Sequence, residues 1–384
     1  MNFVFVMDSL FTGGSEYSTL LYARWMQQQG HQVKIILLKI KKPSYDPVAF
    51  GLQSKDILLL EPGGLYFKLR QLHLIIRTYQ PAIVHSVLNS SNFLCRVLRI
   101  LSRGFTHVES LVNQPYSEER LQDKNLKFWK IRILQLFDRF TQGRGVDAFH
   151  ANSEAVALHY CREVGVPSSK LTVIPRGREI NDWISARDRV REEVLQEFQF
   201  QEPCLLLLNT GRHEHQKGQD VLLQALAALP APLNWYLLIA GREGAATKEL
   251  QSQVEQLQLQ RRVFFAGHRT DVPRLLAAAD LFVFPSRFEG MPGALIEACA
   301  AGLPIVCTDL PCMTEVVEPD VNARLFTAED AAGLSSQIEA LLKNGQERQE
   351  RGRKSLQLFE SKFQLEAIHQ RMEAFYQTVL MGKK

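Results

Sequence analysis

Two loops of this chain set charged side chains where they could handle phosphates and hydroxyl-rich ligands. The run Asn209-Thr-Gly-Arg-His-Glu-His-Gln-Lys-Gly218 holds Arg212 and Lys217 in a short polar stretch that ends on a glycine, just where an apolar helical pattern begins. Arginine offers a planar fork and lysine a point charge, so the pair can neutralise a diphosphate beside the N–H groups of a helix start. Taken alone, the same pattern also fits a solvated basic loop. The run Pro285-Ser-Arg-Phe-Glu-Gly-Met-Pro-Gly-Ala-Leu-Ile-Glu297 places Glu289 in a loop and Glu297 in the first turns of a helix. Between them Gly290, Pro292 and Gly293 let backbone N–H groups converge on an anion. A carboxylate at 289 can accept hydrogen bonds from sugar hydroxyls, and one at 297 from a ribose. A carboxylate in a helix's first turns is favourable in any case, so Glu297 by itself reads as structural. Glu289 has no such reason to be there, and the bracketed pair is the more specific signal.

Other candidates are weaker. Asp8-Ser-Leu-Phe-Thr-Gly-Gly-Ser-Glu16 strips side chains at Gly13 and Gly14 where the chain enters a helix, which suits an anion or a plain tight turn. The dinucleotide pattern G-x-G-x-x-G is absent from this turn. His85 closes a strand pattern and is a candidate acceptor-side contact or general base. His107 falls inside a strand and reads as a core residue. Asn113 and Gln114, just past that strand, are candidate acceptor contacts. The chain has no Asp-x-Asp pair, so no metal site is expected, and Arg212, Lys217 and helix ends are expected to stand in for a divalent ion.

The elements that must position these residues alternate. Phe3–Met7, Val33–Leu38, Ile57–Leu60, Ile83–Val87, Thr106–Val112, Asp147–Ala151 and Leu171–Ile174 read as strands, with helices over Ser15–Gln29, Leu65–Tyr79, Lys127–Thr141 and Ser153–Val164. Around Pro175–Trp183 the texture turns to Pro, Gly, Asn and charge, and a charged helix follows over Arg187–Phe198. A second alternation then runs from the strand Leu205–Asn209 to a last strand near Ala323–Phe326. Amphipathic helices over Ala328–Asn344 and Leu365–Leu380 close the chain. Strand, turn, helix, strand predicts parallel sheets with right-handed crossovers. The expected domains are 1–178, 179–358 and a terminal helix over 359–384 that crosses back to the first. Ligands of such sheets bind at the carboxyl ends of the strands, where both loops fall.

At 384 residues, 46 % of them hydrophobic and 22 % charged, the chain has the makings of two soluble domains. Six cysteines without C-x-x-C spacing point to reduced structural thiols in a cytoplasmic protein rather than to disulfides or zinc. Phe3–Met7 has no basic leader and ends in Asp8, so it reads as a strand and not a signal sequence. Residues 1–179 hold 23 basic and 14 acidic side chains, a net +9, against −5 for the remainder. That asymmetry suits a peripheral contact with the inner face of a membrane through the basic N-terminal domain, and Lys124–Arg139, which mixes basic and aromatic residues, could lie on an anionic membrane or pack against the core. The basic residues are not interleaved with a nucleic-acid reader motif.

In this order, the segments resemble the family-4 (group 1) retaining glycosyltransferases of the GT-B fold, over nearly the whole chain. The resemblance runs through Gly-Gly-Ser-Glu16, Ile83-Val-His85, Ala151-Asn-Ser-Glu154, Val173-Ile-Pro-Arg-Gly177, the Gly211–Gly218 loop, Phe265-Ala-Gly-His-Arg-Thr-Asp-Val272 and the E-x7-E pattern at Glu289 and Glu297. The family often has Pro-Asn-Gly where Pro175-Arg-Gly177 stands, and a second histidine where Val87 stands. The resemblance implies an α/β protein of two Rossmann-like parallel-sheet domains facing a cleft. It implies catalytic roles for Arg212, Lys217 and Glu289. Donor contacts would come from these and from Gly14, His268, Arg269, Gly290, Met291, Pro292, Gly293, Ala294, Leu295 and Glu297. It also implies a metal-independent transfer, with retention, of a hexose or N-acetylhexosamine from a nucleotide-diphosphate sugar, with UDP slightly favoured, to a glycan or glycolipid. That sugar is a substrate, and no separate cofactor is expected. The rivals are a nucleotide-sugar epimerase or hydrolase of the same fold, and a non-catalytic partner subunit.

Overall fold

The computed structural model describes the chain except residues 12, 43–44, 118–119, 121–127, 232 and 383–384. It divides into two compact units, Met1–Gly177 with Glu366–Lys384, and Arg178–Leu365.

The first unit runs β1 (Asn2–Met7), α1 (Gly14–Gln28), β2 (Gln32–Leu37), β3 (Ile57–Leu59), α2 (Leu65–Tyr79), β4 (Ile83–Val87), α3 (Asn89–Leu101), β5 (His107–Leu111), α4 (Phe128–Gly145), β6 (Ala148–Ala151), α5 (Glu154–Val164) and β7 (Leu171–Val173). Its strands form one parallel sheet in the order β3-β2-β1-β4-β5-β6-β7, which reverses direction between β1 and β4. The central strands β4 and β5 are buried along their whole length, as a parallel sheet covered on both faces requires. Helix α5 shows how local sequence sets the ends: Ser153 Oγ accepts from the Val156 amide, and Gly165 stops the helix at φ +75°.

The second unit runs α6 (Arg187–Glu197), β8 (Leu205–Thr210), α7 (Gln219–Ala227), β9 (Trp235–Ala240), α8 (Thr247–Gln256), β10 (Val263–Gly267), α9 (Val272–Ala278), β11 (Leu281–Phe284), α10 (Gly293–Ala300), β12 (Ile305–Thr308), α11 (Pro311–Thr314), β13 (Ala323–Phe326), α12 (Ala331–Lys343) and α13 (Gly345–Lys362). Its parallel sheet has the order β10-β9-β8-β11-β12-β13 and reverses between β8 and β11. The last helix, α14 (Leu365–Met381), belongs to the first unit, where Ile368, Met372, Phe375 and Tyr376 join Phe3, Phe5 and Trp25 in one apolar cluster.

Three differences from the sequence pattern have physical causes. Helix α3 is unheralded because it opens on Asn89-Ser-Ser-Asn92, four poor helix formers, and takes its N-terminal support from distant Asp8. Helix α13 is hidden because its buried side includes Arg351, Gly352 and Ser355 rather than an apolar stripe. That helix also moves the break between units from 358 to 365, since Phe359 and Phe363 are core residues of the second unit. All six cysteines are free thiols, five of them buried.

Candidate active site

The second unit's strand order reverses between β8 and β11, and a crevice opens beyond the carboxyl ends of the two strands at such a point. The two chemically suggestive loops leave from those two ends. Gly218 caps α7 in a left-handed conformation (φ +61°), and a Cβ there would lie 2.0 Å from the Pro285 carbonyl oxygen. The loops therefore touch through a position that only glycine can fill. The contact is extended by Arg287, whose amide donates to the Gln216 carbonyl, and by Gln216 Nε2, which donates to the Phe288 carbonyl.

On this frame Lys217 Nζ donates to Glu289 Oε1 at 2.5 Å, with the two side chains 17 % and 11 % exposed. Arg212 is far more open, its guanidinium 3.9 Å from Glu214. Helix α10 begins at Gly293, and its N-cap residue Pro292 makes no side-chain hydrogen bond to the first turn. Glu297, on its second turn, accepts from Arg178 Nε at 2.7 Å. Arg178 is buried, and a Cβ on Gly293 would lie 2.2 Å from its Nη2. Gly293 thus makes room for a guanidinium at the positive end of the helix, an arrangement that favours a bound anion. The structure brings Lys217 to Glu289 and Arg178 to Glu297, and each carboxylate is already oriented by a cation.

Other expected donor residues divide. Gly290, Met291 and Pro292 lie in the buried turn leading into α10, and Ala294 is half-buried on its first turn. Leu295 is fully buried and its amide donates to the Pro292 carbonyl, so it serves the core rather than a ligand. His268 is exposed. Arg269 is held by Asp271 and Glu197, each at 2.7 Å, which turns its side chain to an ion-pair cluster and leaves only backbone near Gly267 to border a ligand.

In the first unit, Gly14 opens α1, and a Cβ there would lie 2.6 Å from Arg176 Nη1, while Arg176 Nη2 donates to Ser15 Oγ at 3.0 Å. The guanidinium lies over this helix start, so an anion approaching Gly14 meets Arg176. Asn113 is half-buried just beyond β5. Its stretch is anchored by Tyr116, whose hydroxyl donates to Asp138 Oδ2 and whose amide donates to His159 Nε2 at 3.2 Å. Asp138 is in turn paired with buried Arg96 at 2.7 Å.

His85 is the clearest correction, because it points into the core. A chain of hydrogen bonds links it to Tyr376, Ser110 (2.7 Å), His150 (2.9 Å from Ser110) and the Ile174 carbonyl (2.9 Å). The carbonyl can only accept, so His150 carries its proton on Nε2. Ser110 must then donate to His150 Nδ1, His85 Nε2 to Ser110, and Tyr376 to His85 Nδ1. Both ring nitrogens are used and the ring is buried. Burial, together with His150 and His107 nearby, pushes the His85 pKa well down. A buried neutral imidazole with no free nitrogen is not an acceptor-side base. Its signal was absent from the sequence, because its partner Tyr376 lies 291 residues away.

Two parallel α/β units of this type, with a cation and carboxylate cluster at one reversal point, define a Rossmann-like two-unit protein. A family model described as glycosyl transferases group 1 matches residues 190–357, and one described as Glycosyltransferase Family 4 matches 12–182. The chain belongs to the group 1, family-4 glycosyltransferases of the GT-B fold. It is 38 % identical over 112 residues to the lipopolysaccharide core biosynthesis mannosyltransferase LpsB of Rhizobium meliloti, covering 28 % of this chain and 32 % of that one. It is 29 % identical over 228 residues to the lipopolysaccharide glucosyltransferase WaaG of Escherichia coli, covering 53 % and 59 %. These matches span about a third and three-fifths of the relatives' lengths. Among solved structures, Anabaena Alr3699/HepE in complex with UDP and glucose shares the fold with a TM-score of 0.83, at 19 % identity over 98 % of this chain and all of that one. A crystal structure of WaaG, a glycosyltransferase involved in lipopolysaccharide biosynthesis, has a TM-score of 0.78 at 19 % identity, covering 96 % and 98 %.

Proposed function

We propose that this chain transfers a hexose or N-acetylhexosamine from a nucleotide-diphosphate sugar to a glycan or glycolipid, with retention and without a metal. The observation that carries the reading is the Lys217–Glu289 pair at the β8/β11 reversal. Arg178–Glu297 and the first turn of α10, which follows Pro292 at its N-cap, support it. On this reading Lys217, Arg212 and the helix end neutralise the departing diphosphate, while Glu289 accepts hydrogen bonds from the sugar and Glu297 from the ribose. The bond from the anomeric carbon to the phosphate oxygen breaks as the acceptor oxygen bonds on the same face. The acceptor's proton passes to the leaving phosphate. The mannosyltransferase and glucosyltransferase relatives, and the neighbour solved with UDP and glucose, support a nucleotide-sugar donor, with UDP first among those to try.

The test is a screen of nucleotide sugars for binding and hydrolysis in EDTA, on wild type and Glu289→Ala. One donor should bind and be slowly hydrolysed without metal, and the variant should keep nucleotide affinity while losing preference among sugars. If no nucleotide sugar binds, the partner-subunit reading replaces this one. A donor that is epimerised without any acceptor points to the isomerase instead, and a covalent glycosyl adduct rules out the same-face step.

A further inference from the structure

Helix α4 packs Ile131 and Phe137 against its own unit but carries a second apolar stripe on its outward face. Its buried side carries Gln135, Asp138, Thr141 and Gln142, while Trp129, Ile133, Leu136 and Phe140 are exposed by 58, 59, 54 and 77 %. Soluble helices place these classes the other way round. Three of the inward polar groups have partners: Asp138 in Arg96 and Tyr116, Thr141 in Arg96, and Gln135 in Glu163, while the Gln142 amide is buried without one. At about 100° per residue, the four outward apolar side chains fall within an arc of roughly 60°. Arg132 and Arg139 border the stripe on one side and Arg144 on the other, all three exposed. Asp138 is the one acidic residue between Phe128 and Gly145, and it faces inward.

We propose that this outward face of α4 docks on an anionic lipid surface, the helix lying in the interface with its stripe in the acyl boundary and its arginines at the headgroups. This goes beyond the transferase reading and does not depend on it. No helix among the described residues is long and apolar enough to cross a membrane, so α4 would lie along one. Charge complementarity selects the occupant. A two-fold contact between copies of this face would set arginines against arginines, whereas anionic headgroups neutralise all three. Residues 124–127, the start of the basic–aromatic stretch noted in the sequence, lie outside the described residues.

Co-sedimentation with phosphatidylcholine vesicles, with and without phosphatidylglycerol, tests the proposal. The wild type should bind the mixed vesicles at least about tenfold more tightly, and salt should weaken the binding. The triple variant I133Q/L136Q/F140Q should lose binding at least about tenfold, and R132Q/R139Q/R144Q should lose the preference for phosphatidylglycerol. Both should keep wild-type hydrolysis of the nucleotide sugar, since none of these residues lies in the donor loops. Brominated lipid should quench the Trp129 fluorescence of the intact wild type, read against Trp129→Phe, whether or not the variants fold. Three results overturn the proposal: no binding to mixed vesicles, no quenching, or a wild-type dimer that I133Q/L136Q/F140Q dissolves. Vesicle binding without nucleotide-sugar hydrolysis would sink the transferase reading and leave this one standing.

Discussion

Both sheets reverse their order near the middle, between β1 and β4 in the first unit and between β8 and β11 in the second, yet the chain treats the two points differently. In the second unit, Lys217 and Glu289 meet at the reversal, and the nearby start of α10 follows Pro292, which makes no side-chain cap. In the first, Asp8 turns to the start of α3, accepting from the Ser91 amide and hydroxyl at 2.7 Å, and Arg176 lies over the start of α1. Topology makes a crevice in each, and the residue types line the two differently. The units differ in their interiors as well. The first buries His85, His107 and His369 and half-buries His150, whereas the second buries His213 and holds arginines and carboxylates in partly exposed clusters such as Arg269–Asp271.

Acid should separate the units by the largest margin. Burial pushes His107, His150 and His369 down to about 4. Unfolded, they titrate near 6.5. Below that value the unfolded chain takes up protons that the fold refuses, so stability present above pH 6.5 is lost as pH falls toward 4. The loss is about 3 kcal/mol per histidine at most. Glu109 opposes this. Its burial, against the pull of Arg96, raises it to about 7, so its contribution is full below the ordinary glutamate range and fades as pH rises toward 7. His85 is pushed the same way, so one group against four leaves the first unit acid-labile, whereas burial lowers His213 alone among the described histidines of the second. In the second unit the hydrogen bonds from Arg269 hold Asp271 below its ordinary value, and those from Arg287, against burial, do the same for Asp220. Their contribution persists until pH falls below the ordinary aspartate range. Single-tryptophan variants keeping only Trp25 or only Trp235, both buried, should report two acid transitions with Trp25 first. A Trp235 transition that comes with or before Trp25 would break the comparison.

The donor loops carry the next effect. Lys217→Ala should lower turnover about 10²–10³-fold, or roughly 3–4 kcal/mol, because a preorganised charge on the leaving group is lost. Thermal stability should fall by less than the barrier rises, since the Glu289 left without its cation is mostly but not wholly buried. Steady-state rates beside a melting curve decide this, and a loss of stability that matched the loss of rate would make Lys217 a structural residue.

These loops were legible because each is local. A glycine, a cation or a carboxylate at a fixed distance from a strand end keeps its meaning without knowledge of the fold. Strand and helix alternation was legible for the same reason, and it failed where packing replaced periodicity, at α3 and α13. What could not be read were the pairs that fix orientation. Arg178 lies 119 residues from Glu297, and Tyr376 lies 291 from His85. Nothing in local spacing joins them, because the sheet order, not the chain, makes them neighbours. His85 was read outward from its place at a strand's end, yet successive strand residues point to opposite faces, and its pairing turns it to the side covered by α14.

Two glycines sharpen the contrast by a smaller amount. Gly218→Ala meets both a left-handed backbone and the Pro285 carbonyl oxygen 2.0 Å away, and should cost about 3 kcal/mol together with nucleotide affinity. Gly165→Ala, at φ +75° with nothing within 4 Å of the new Cβ, should cost about 1 kcal/mol and leave affinity unchanged. Urea unfolding of the two variants gives the difference directly, and equal costs would mean that the contact between the donor loops contributes nothing.

The smallest effect tests the first unit's inward turn. The direction of every hydrogen bond from Tyr376 to Ile174 is set by the carbonyl at the end, so His85 Nδ1 can only accept. Tyr376→Phe removes its donor and leaves a buried ring nitrogen unpaired, which should cost about 1–3 kcal/mol. The ring cannot recover by moving its proton to Nδ1, because Ser110 would then lose the hydrogen it accepts from Nε2. Stability should therefore fall while kcat and KM for the nucleotide sugar stay within about twofold of wild type, a shift of less than half a kcal/mol. If Tyr376→Phe instead lowers kcat as Lys217→Ala does, the buried network reaches the chemistry, and the first unit's histidines have to be counted with the machinery they now only support.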